Sequence, residues 1–410
     1  VPAGKAVMFF LMDISGSMSG APMEHARQAA HALVERLADG DHFSLTVFSS
    51  DARVEVPEGR VAGRRTQIWN RIAALDVEGG TNISAGLALG YGMAARGPAV
   101  TEANRIVMLL SDGEPTDGIT DRQTLSLMAA RALQDGTETS SFGVGTSYDG
   151  ALMSSLADRG AGGYYYIPDS SRIADALRTE LEARAQPVAQ AVEVRVRLAD
   201  GIALTEVYGS RKLEGVDAEV VRGQEVALDR RTAARDHIAQ DRHTDRAGGM
   251  RFFIPGFARD DRHVLLLGLR APAGVGDRPV ATVELRYKDR LTGRNVTIER
   301  PVRSTYAASD AASAATANPS VQRTVQSFDA GLTLVEAARA VSNGERERAS
   351  ALLAERESLL RQAAVRLGAP SLEGDASRLG RVRTILGGGA SASPVALAML
   401  LDTSARGFLR

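Results

Sequence analysis

The chain has 410 residues, 44% of them hydrophobic and 24% charged, with 49 basic side chains against 50 acidic ones. That length, at ~100–200 residues per domain, implies two or three globular units, and the near-zero net charge excludes a nucleic-acid module held by a global basic field. There is no cysteine, which excludes disulfides, thiolate zinc centres, iron–sulfur clusters and cysteine nucleophiles together.

Residues 5–185 alternate strand and helix. Residues 5–12 (KAVMFFLM) are a continuous apolar run, as in a strand buried on both faces of a parallel sheet. Residues 22–38 read as a helix, with Pro22 in its first turn and Gly40 beyond its end. Strands are expected at 42–48 and 52–56, and helices at 64–75 and 83–95. A second buried strand, 105–111 (RIVMLLS), precedes a helix at 121–134 and a strand at 137–144. A helix at 148–157, a strand at 163–167 and a helix at 171–185 complete the series. This rhythm predicts an open, doubly wound, mostly parallel α/β sheet of Rossmann-like type, over residues 1–186. Ligands of such sheets bind at the carboxyl ends of the strands.

Past Pro187 the rhythm changes. Short strands are expected at 191–198, 219–228, 251–254, 264–270, 281–287 and 295–302, with a long charged loop at 229–249. The pattern predicts an antiparallel β-sandwich over 187–306. Residues 307–320 (AASDAASAATANPS) read as a small-residue linker. A C-terminal α-helical region, 321–410, has helices at 321–341, 345–366 and 376–385, a turn at Asn343-Gly344 that implies a hairpin, a break at 387–394 and a last short helix. The longest apolar runs, 264–269 and 395–401, fall short of the ~20 residues of a spanning helix, so no transmembrane segment is expected. The sequence opens at Val1, so its native start is expected to be missing, with room for a signal peptide, lipid anchor or upstream domain to have been lost with it, and location, left open, leans to the extracytoplasmic side or the cell surface.

Chemistry concentrates at three strand-to-helix loops. Asp13, Ser15 and Ser17 stand at alternate positions directly after the first buried strand. Thr81 lies in the Gly79-Gly80-Thr81-Asn82 loop, and Asp112 follows the 105–111 strand in Ser111-Asp112-Gly113. Two carboxylates and three hydroxyls form an all-oxygen set suited to Mg²⁺ near ~2.1 Å, with Mn²⁺ or Ca²⁺ as substitutes, although Ca²⁺ usually recruits more carboxylates. So few protein ligands leave an open position, which an acidic side chain of another molecule would fill.

These residues resemble a known family. Asp-x-Ser-x-Ser after a first hydrophobic strand, a Thr in a G-G-T-N loop and an Asp in S-D-G are similar to the metal-ion-dependent adhesion site of von Willebrand factor type A (VWA) domains, over residues 5–185. The resemblance implies that Ser15, Ser17 and Thr81 ligate the metal directly when a partner is bound, and that Asp13 and Asp112 act largely through waters. It implies a binding module that captures an Asp or Glu of a partner protein, not an enzyme and not a nucleic-acid binder. The layout of the sandwich and helical tail resembles bacterial and plant proteins of the VWA/Hedgehog-intein-associated kind.

The rim of such a site would be residues 17–23, 79–82 and 114–120, with Met18, Met23 and Ile119 as apolar contacts and Glu114 and Asp117 ringing the metal. A stable interface needs ~800 Å² per partner from such loops. The alternative is a metal-dependent hydrolase using the same site, against which no His, Lys or Cys is placed as base or nucleophile. A third possibility gives the work to the tail, whose Leu332, Leu334, Val335, Leu352, Leu353, Leu359 and Leu360 would pack a hairpin or a partner helix. Weaker signals read as structural. Gly143-x-Gly145 lacks the third glycine of a dinucleotide fingerprint. His25 and His31 are spaced as helix-surface residues, His237 and His243 fall in the charged loop, and Trp69 is expected to pack.

Overall fold

The computed structural model describes residues 6–96, 104–145, 147–185, 187–210, 215–242, 248–257, 261–387, 394–406 and 408. Strand β1 (Ala6–Asp13) is buried throughout its length. Its even residues Met8, Phe10 and Met12 enter one apolar cluster and its odd residues Val7, Phe9 and Leu11 another. A strand sending large side chains to both faces needs helices on both, and the continuous apolar run records that. On one face lie α1 (Ala21–Arg36), α2 (Arg65–Ala73) and α6 (Ile173–Ala185); on the other lie α3 (Ile83–Arg96), α4 (Arg122–Gln134) and α5 (Gly150–Arg159).

The remaining strands of this sheet are β2 (His42–Phe48), β3 (Ala52–Arg60), β4 (Asn104–Ser111), β5 (Thr137–Val144) and β6 (Ala161–Ile167), in the order β3-β2-β1-β4-β5-β6. All neighbours run parallel except β2 and β3. The doubly wound expectation therefore holds. The chain winds one way from β1 to β2 and the other way out to β4, so the switch point is the crevice at the carboxyl ends of β1 and β4. Helix α6 is pinned beneath the far edge: buried Glu180 accepts hydrogen bonds from Ser140 Oγ, Gly163 N–H (3.1 Å) and Tyr165 OH (2.7 Å).

The next region departs from expectation. Residues 219–228, read as a strand, lie inside a 22-residue helix, α7 (Gly215–Asp236), and the expected loop at 229–249 begins within it. The helix buries Gln224, Glu225, Leu228, Asp229 and Thr232, a stripe at helical spacing made almost wholly of polar residues. Periodicity judged on hydrophobicity misses such a stripe. It faces the charged side of a four-stranded antiparallel sheet ordered β12-β11-β7-β9, from β7 (Ala189–Leu198), β9 (Met250–Phe257), β11 (Asp277–Asp289) and β12 (Arg294–Thr305). Lys288 Nζ stands 2.7 Å from Asp229, Arg195 3.0 Å from Glu193, and Arg242 3.4 Å from Glu225, all buried. The sheet's apolar side shares a small cluster with a two-stranded sheet, β8 (Ala203–Tyr208) with β10 (Leu266–Arg270). Strand β8 was not expected, and His237 closes α7 in the left-handed region at φ 56°.

The expected linker holds a short helix, α8 (Asp310–Ala315), because an alanine run becomes helical once Ser309 caps it, its hydroxyl accepting from Ala312 N–H (3.2 Å). Four helices follow: α9 (Pro319–Ser342), α10 (Arg346–Leu367), α11 (Pro370–Gly387) and α12 (Pro394–Arg406). Gly344 makes the hairpin turn at φ 81°. Leu334, Leu353 and Leu360 enter the helical core, while Leu332 and Leu359 are exposed. Helix α12 packs on α9 and also reaches edge strand β6. Among the described residues no helix is long and apolar enough to cross a membrane. Lys5, His243 and most of the expected break at 387–394 lie outside the described residues.

Candidate metal centre

Each expected site residue stands at a strand end or in a loop that the sheet order brings to the switch point. Asp13 is the last residue of β1 and is fully buried. One carboxylate oxygen accepts from Ser15 N–H (2.8 Å), which turns the chain out of the strand. The other accepts from Ser111 Oγ (2.5 Å), the last residue of β4. A 3₁₀ turn, Gly16–Met18, then presents Ser17. Ser15 Oγ and Ser17 Oγ are 3.0 Å apart, and Ser17 Oγ donates to Asp112 Oδ1 at 2.6 Å. Two segments almost a hundred residues apart in sequence are thus joined through side-chain oxygens.

Thr81 completes the crevice. Its N–H donates to Thr116 Oγ1 (2.9 Å), and its carbonyl accepts from Thr116 N–H (2.9 Å) and Asp117 N–H (3.2 Å). Gly16 N–H donates to Gly79 carbonyl (3.1 Å), tying the first loop to the second. Asn82 caps α3, accepting from Ala85 N–H (3.0 Å) and Ser84 Oγ (2.6 Å). A Cβ on Gly113 would stand 3.2 Å from Thr81 Oγ1 and 3.4 Å from Ser17 Oγ, so these two hydroxyls flank one small space that glycine leaves open. The structure therefore brings Asp13, Ser15, Ser17, Thr81 and Asp112 into a single crevice.

The donor set fits a small hard divalent cation. Two adjacent octahedral ligands at ~2.1 Å lie about 3.0 Å apart, the spacing of the Ser15 and Ser17 hydroxyls. The electrostatics point the same way. Burial pushes Asp13 up to about 6, against the lowering effect of its bonds from Ser111 and Ser15, and nearby Asp112 adds to the rise. Burial raises Asp112 as well, although Ser17 opposes it. Among the described residues neither carboxylate has a cationic side chain against it; Asp13 is bonded by the Ser111 hydroxyl and Ser15 N–H, and Asp112 by the Ser17 hydroxyl. Two buried carboxylates without countercharge are costly unless a cation neutralises them. Among the described residues no cluster of three or more His, Asp or Glu forms a separate metal site.

Ser111 is the residue that motif reading passed over. It appeared only as the letter before Asp112, yet its hydroxyl fixes Asp13 and also accepts from Gly113 N–H (3.3 Å). Two expected rim contacts are corrected. Met18 and Met23 are buried in the core at 0% and 3% exposure, because the 3₁₀ turn and α1 fold them under the loop; Ile119 remains exposed at 45%. Asp117 packs against Gly80, where a Cβ would collide with its carboxylate. Trp69, expected to pack, is 44% exposed and sits edge-on to His31 at 3.5 Å. Gly143 has a packing role: a Cβ there would fall inside the Tyr148 ring.

With this fold and crevice, residues 8–179 match the family model for the von Willebrand factor type A domain, and that stretch of the chain is a VWA domain. Such domains bind a divalent metal at the adhesion-site crevice and are generally metal-dependent protein-interaction modules. The chain is 34% identical over 199 residues to the uncharacterized protein YfbK of Escherichia coli (strain K12), covering 48% of this chain and 34% of that one. It is 25% identical over 221 residues to inter-alpha-trypsin inhibitor heavy chain H1 of Sus scrofa, covering 52% of this chain and 24% of that one. It thus spans about a third or less of these two relatives. A von Willebrand factor type A structure from Catenulispora acidiphila superposes over 98% of this chain and 89% of its own, with TM-score 0.69 at 18% identity. The ArnB paralog VWA2 from Sulfolobus acidocaldarius does so over 98% and 88%, with TM-score 0.55 at 19% identity. These likenesses concern the fold, and they extend past the VWA domain through both later regions.

Proposed function

We propose that the chain is an adhesion or scaffold module that captures an Asp or Glu of a partner protein through a bound divalent cation. Mg²⁺ is the first choice, with Mn²⁺ or Ca²⁺ as substitutes. Ser15, Ser17 and Thr81 would hold the ion directly, and Asp13 and Asp112 largely through waters. Bound there, the cation supplies Lewis acidity at a position open to an outside carboxylate. Ser111 holds Asp13, and Ser17 passes its proton's hydrogen bond to Asp112, so the crevice is organised before any partner arrives.

The observation that carries this reading is the meeting of three loops' oxygens around two buried carboxylates that have no cationic neighbour among the described residues. In this reading residues 1–186 bind, and 187–306 and 321–410 carry and orient the binding face. Kinship of those later regions with the VWA/Hedgehog-intein-associated proteins belongs to the same proposal. The hydrolase reading is not favoured: the side chains bonded to Asp13 and Asp112 are serines, and none is a general base. The test is capture of partner from the source cell with the full chain and Mg²⁺. Capture is lost in EDTA and with Asp13→Ala, while circular dichroism shows the variant folded. Undiminished capture in EDTA refutes the metal bridge.

A further inference from the structure

The apolar layer between the two antiparallel sheets is open at one end. There the β7–β8 turn, the loop joining β10 to β11 and the end of β12 line a half-open pocket of about 480 Å³. Its walls include Ile202, Pro279 and Val280, and Val280 belongs to the same apolar cluster as Val196 and Leu267. The volume falls in the ~300–1,000 Å³ range of small-molecule sites.

One wall is braced. Tyr306 N–H donates to the Gly276 carbonyl (2.9 Å), and Tyr306 OH donates to the Pro272 carbonyl. A Cβ on Gly274 would come within 3.0 Å of the Tyr306 ring, so the ring lies flush on the loop. Arg278 sets its guanidinium over that ring, 5.9 Å from the centroid, at the cavity lining. Its neighbour Asp277 is engaged by Arg303 at 2.6 Å. Among the described residues Arg278 has no carboxylate partner. An arginine fork held over an aromatic face at the mouth of an apolar cavity suits a planar carboxylate on an apolar body. Asp200, also on the lining, sits at the tip of a turn closed by Ile202 N–H to the Ala199 carbonyl (3.1 Å). Its charge opposes a dianion more than a monoanion, which disfavours phosphate esters.

We propose that this cavity binds a small apolar monocarboxylate of the fatty-acid class, with the chain in the cavity and the carboxylate on Arg278. The site is separate from the metal centre and does not depend on it. Octanoate, decanoate, octanol and octyl phosphate are titrated into the full chain by calorimetry, with and without EDTA. Octanoate or decanoate is expected to saturate at one per chain, equally in EDTA. Arg278→Gln weakens that binding by about 10-fold or more, as loss of a charge-assisted contact implies, without weakening octanol. Ala271→Phe, at an exposed position on the lining, fills the mouth and abolishes both. Absence of saturable carboxylate binding, equal affinity in Arg278→Gln, or tighter binding of octyl phosphate overturns the proposal. So does concentration-dependent dimerisation that Ala271→Phe abolishes, which would make a second copy the occupant.

Discussion

Asp13→Asn is the most informative single change. Asp13 is 0% exposed and its carboxyl is pushed from 3.8 up to about 6, by burial first. A rise of roughly two units corresponds to about 3 kcal/mol. The direction follows from linkage. The folded state holds this proton more tightly than the unfolded chain, so the contribution is fully present below pH ~4 and is lost as pH rises through about 6. At neutral pH the cation-free protein therefore carries an ionised, buried carboxylate at its own expense. Asparagine keeps the acceptor for Ser15 N–H and removes the charge. In EDTA the variant should match the wild type near pH 4 and exceed it by an amount approaching ~3 kcal/mol above pH 7. Added Mg²⁺ should close the gap, and reverse the order only near a thousand times Kd, where the wild type gains ~4.1 kcal/mol. The wild type gains ~2.7 kcal/mol at a hundred times Kd, and the variant gains little. Urea unfolding followed by Trp69 fluorescence reads this directly, since the single tryptophan lies on α2 of the VWA domain. If Asp13→Asn is less stable than wild type in EDTA at pH 7.5, or if the difference is flat between pH 4 and 7, Asp13 is a structural cap and not a charge awaiting a cation.

Three further predictions test the packing around this centre and beyond it. Ser111→Ala removes a hydroxyl bonded to buried Asp13 and should cost ~1–3 kcal/mol in EDTA at pH 7.5, with weaker Mg²⁺ binding by calorimetry. Gly143→Ala places a methyl inside the Tyr148 ring and should destabilise the VWA domain by ~1–3 kcal/mol or more, measured in the same urea experiment; pairing it with Tyr148→Leu should recover part of the loss. Lys288→Ala strands Asp229 without its buried ammonium and should cost ~3–5 kcal/mol in thermal unfolding, whereas Lys288→Met with Asp229→Asn, which removes the charge and keeps an acceptor for Arg242 N–H, should recover part of it.

The sequence by itself determined the α/β order, the buried strands and the five candidate ligands. Those features are local: a doubly buried strand is written as an unbroken apolar run, and Asp13, Ser15 and Ser17 follow it within one turn of chain. The helical hairpin was equally legible, since Asn343-Gly344 interrupts an apolar repeat of period 3.6. Tertiary structure alone decided which loops meet. The order β1-β4 places Ser111 against Asp13, and no spacing in the sequence announces that bond. It also decided that Met18 and Met23 turn inward. Helix α7 is the clearest case. Its buried stripe is Gln224, Glu225, Asp229 and Thr232, and a charged residue reads as surface until the chain supplies Lys288, Arg242 and Arg251 from distant strands and loops to meet it. Burial of apolar groups is a property each residue carries with it, whereas burial of charge depends on a partner that only the folded chain brings within reach.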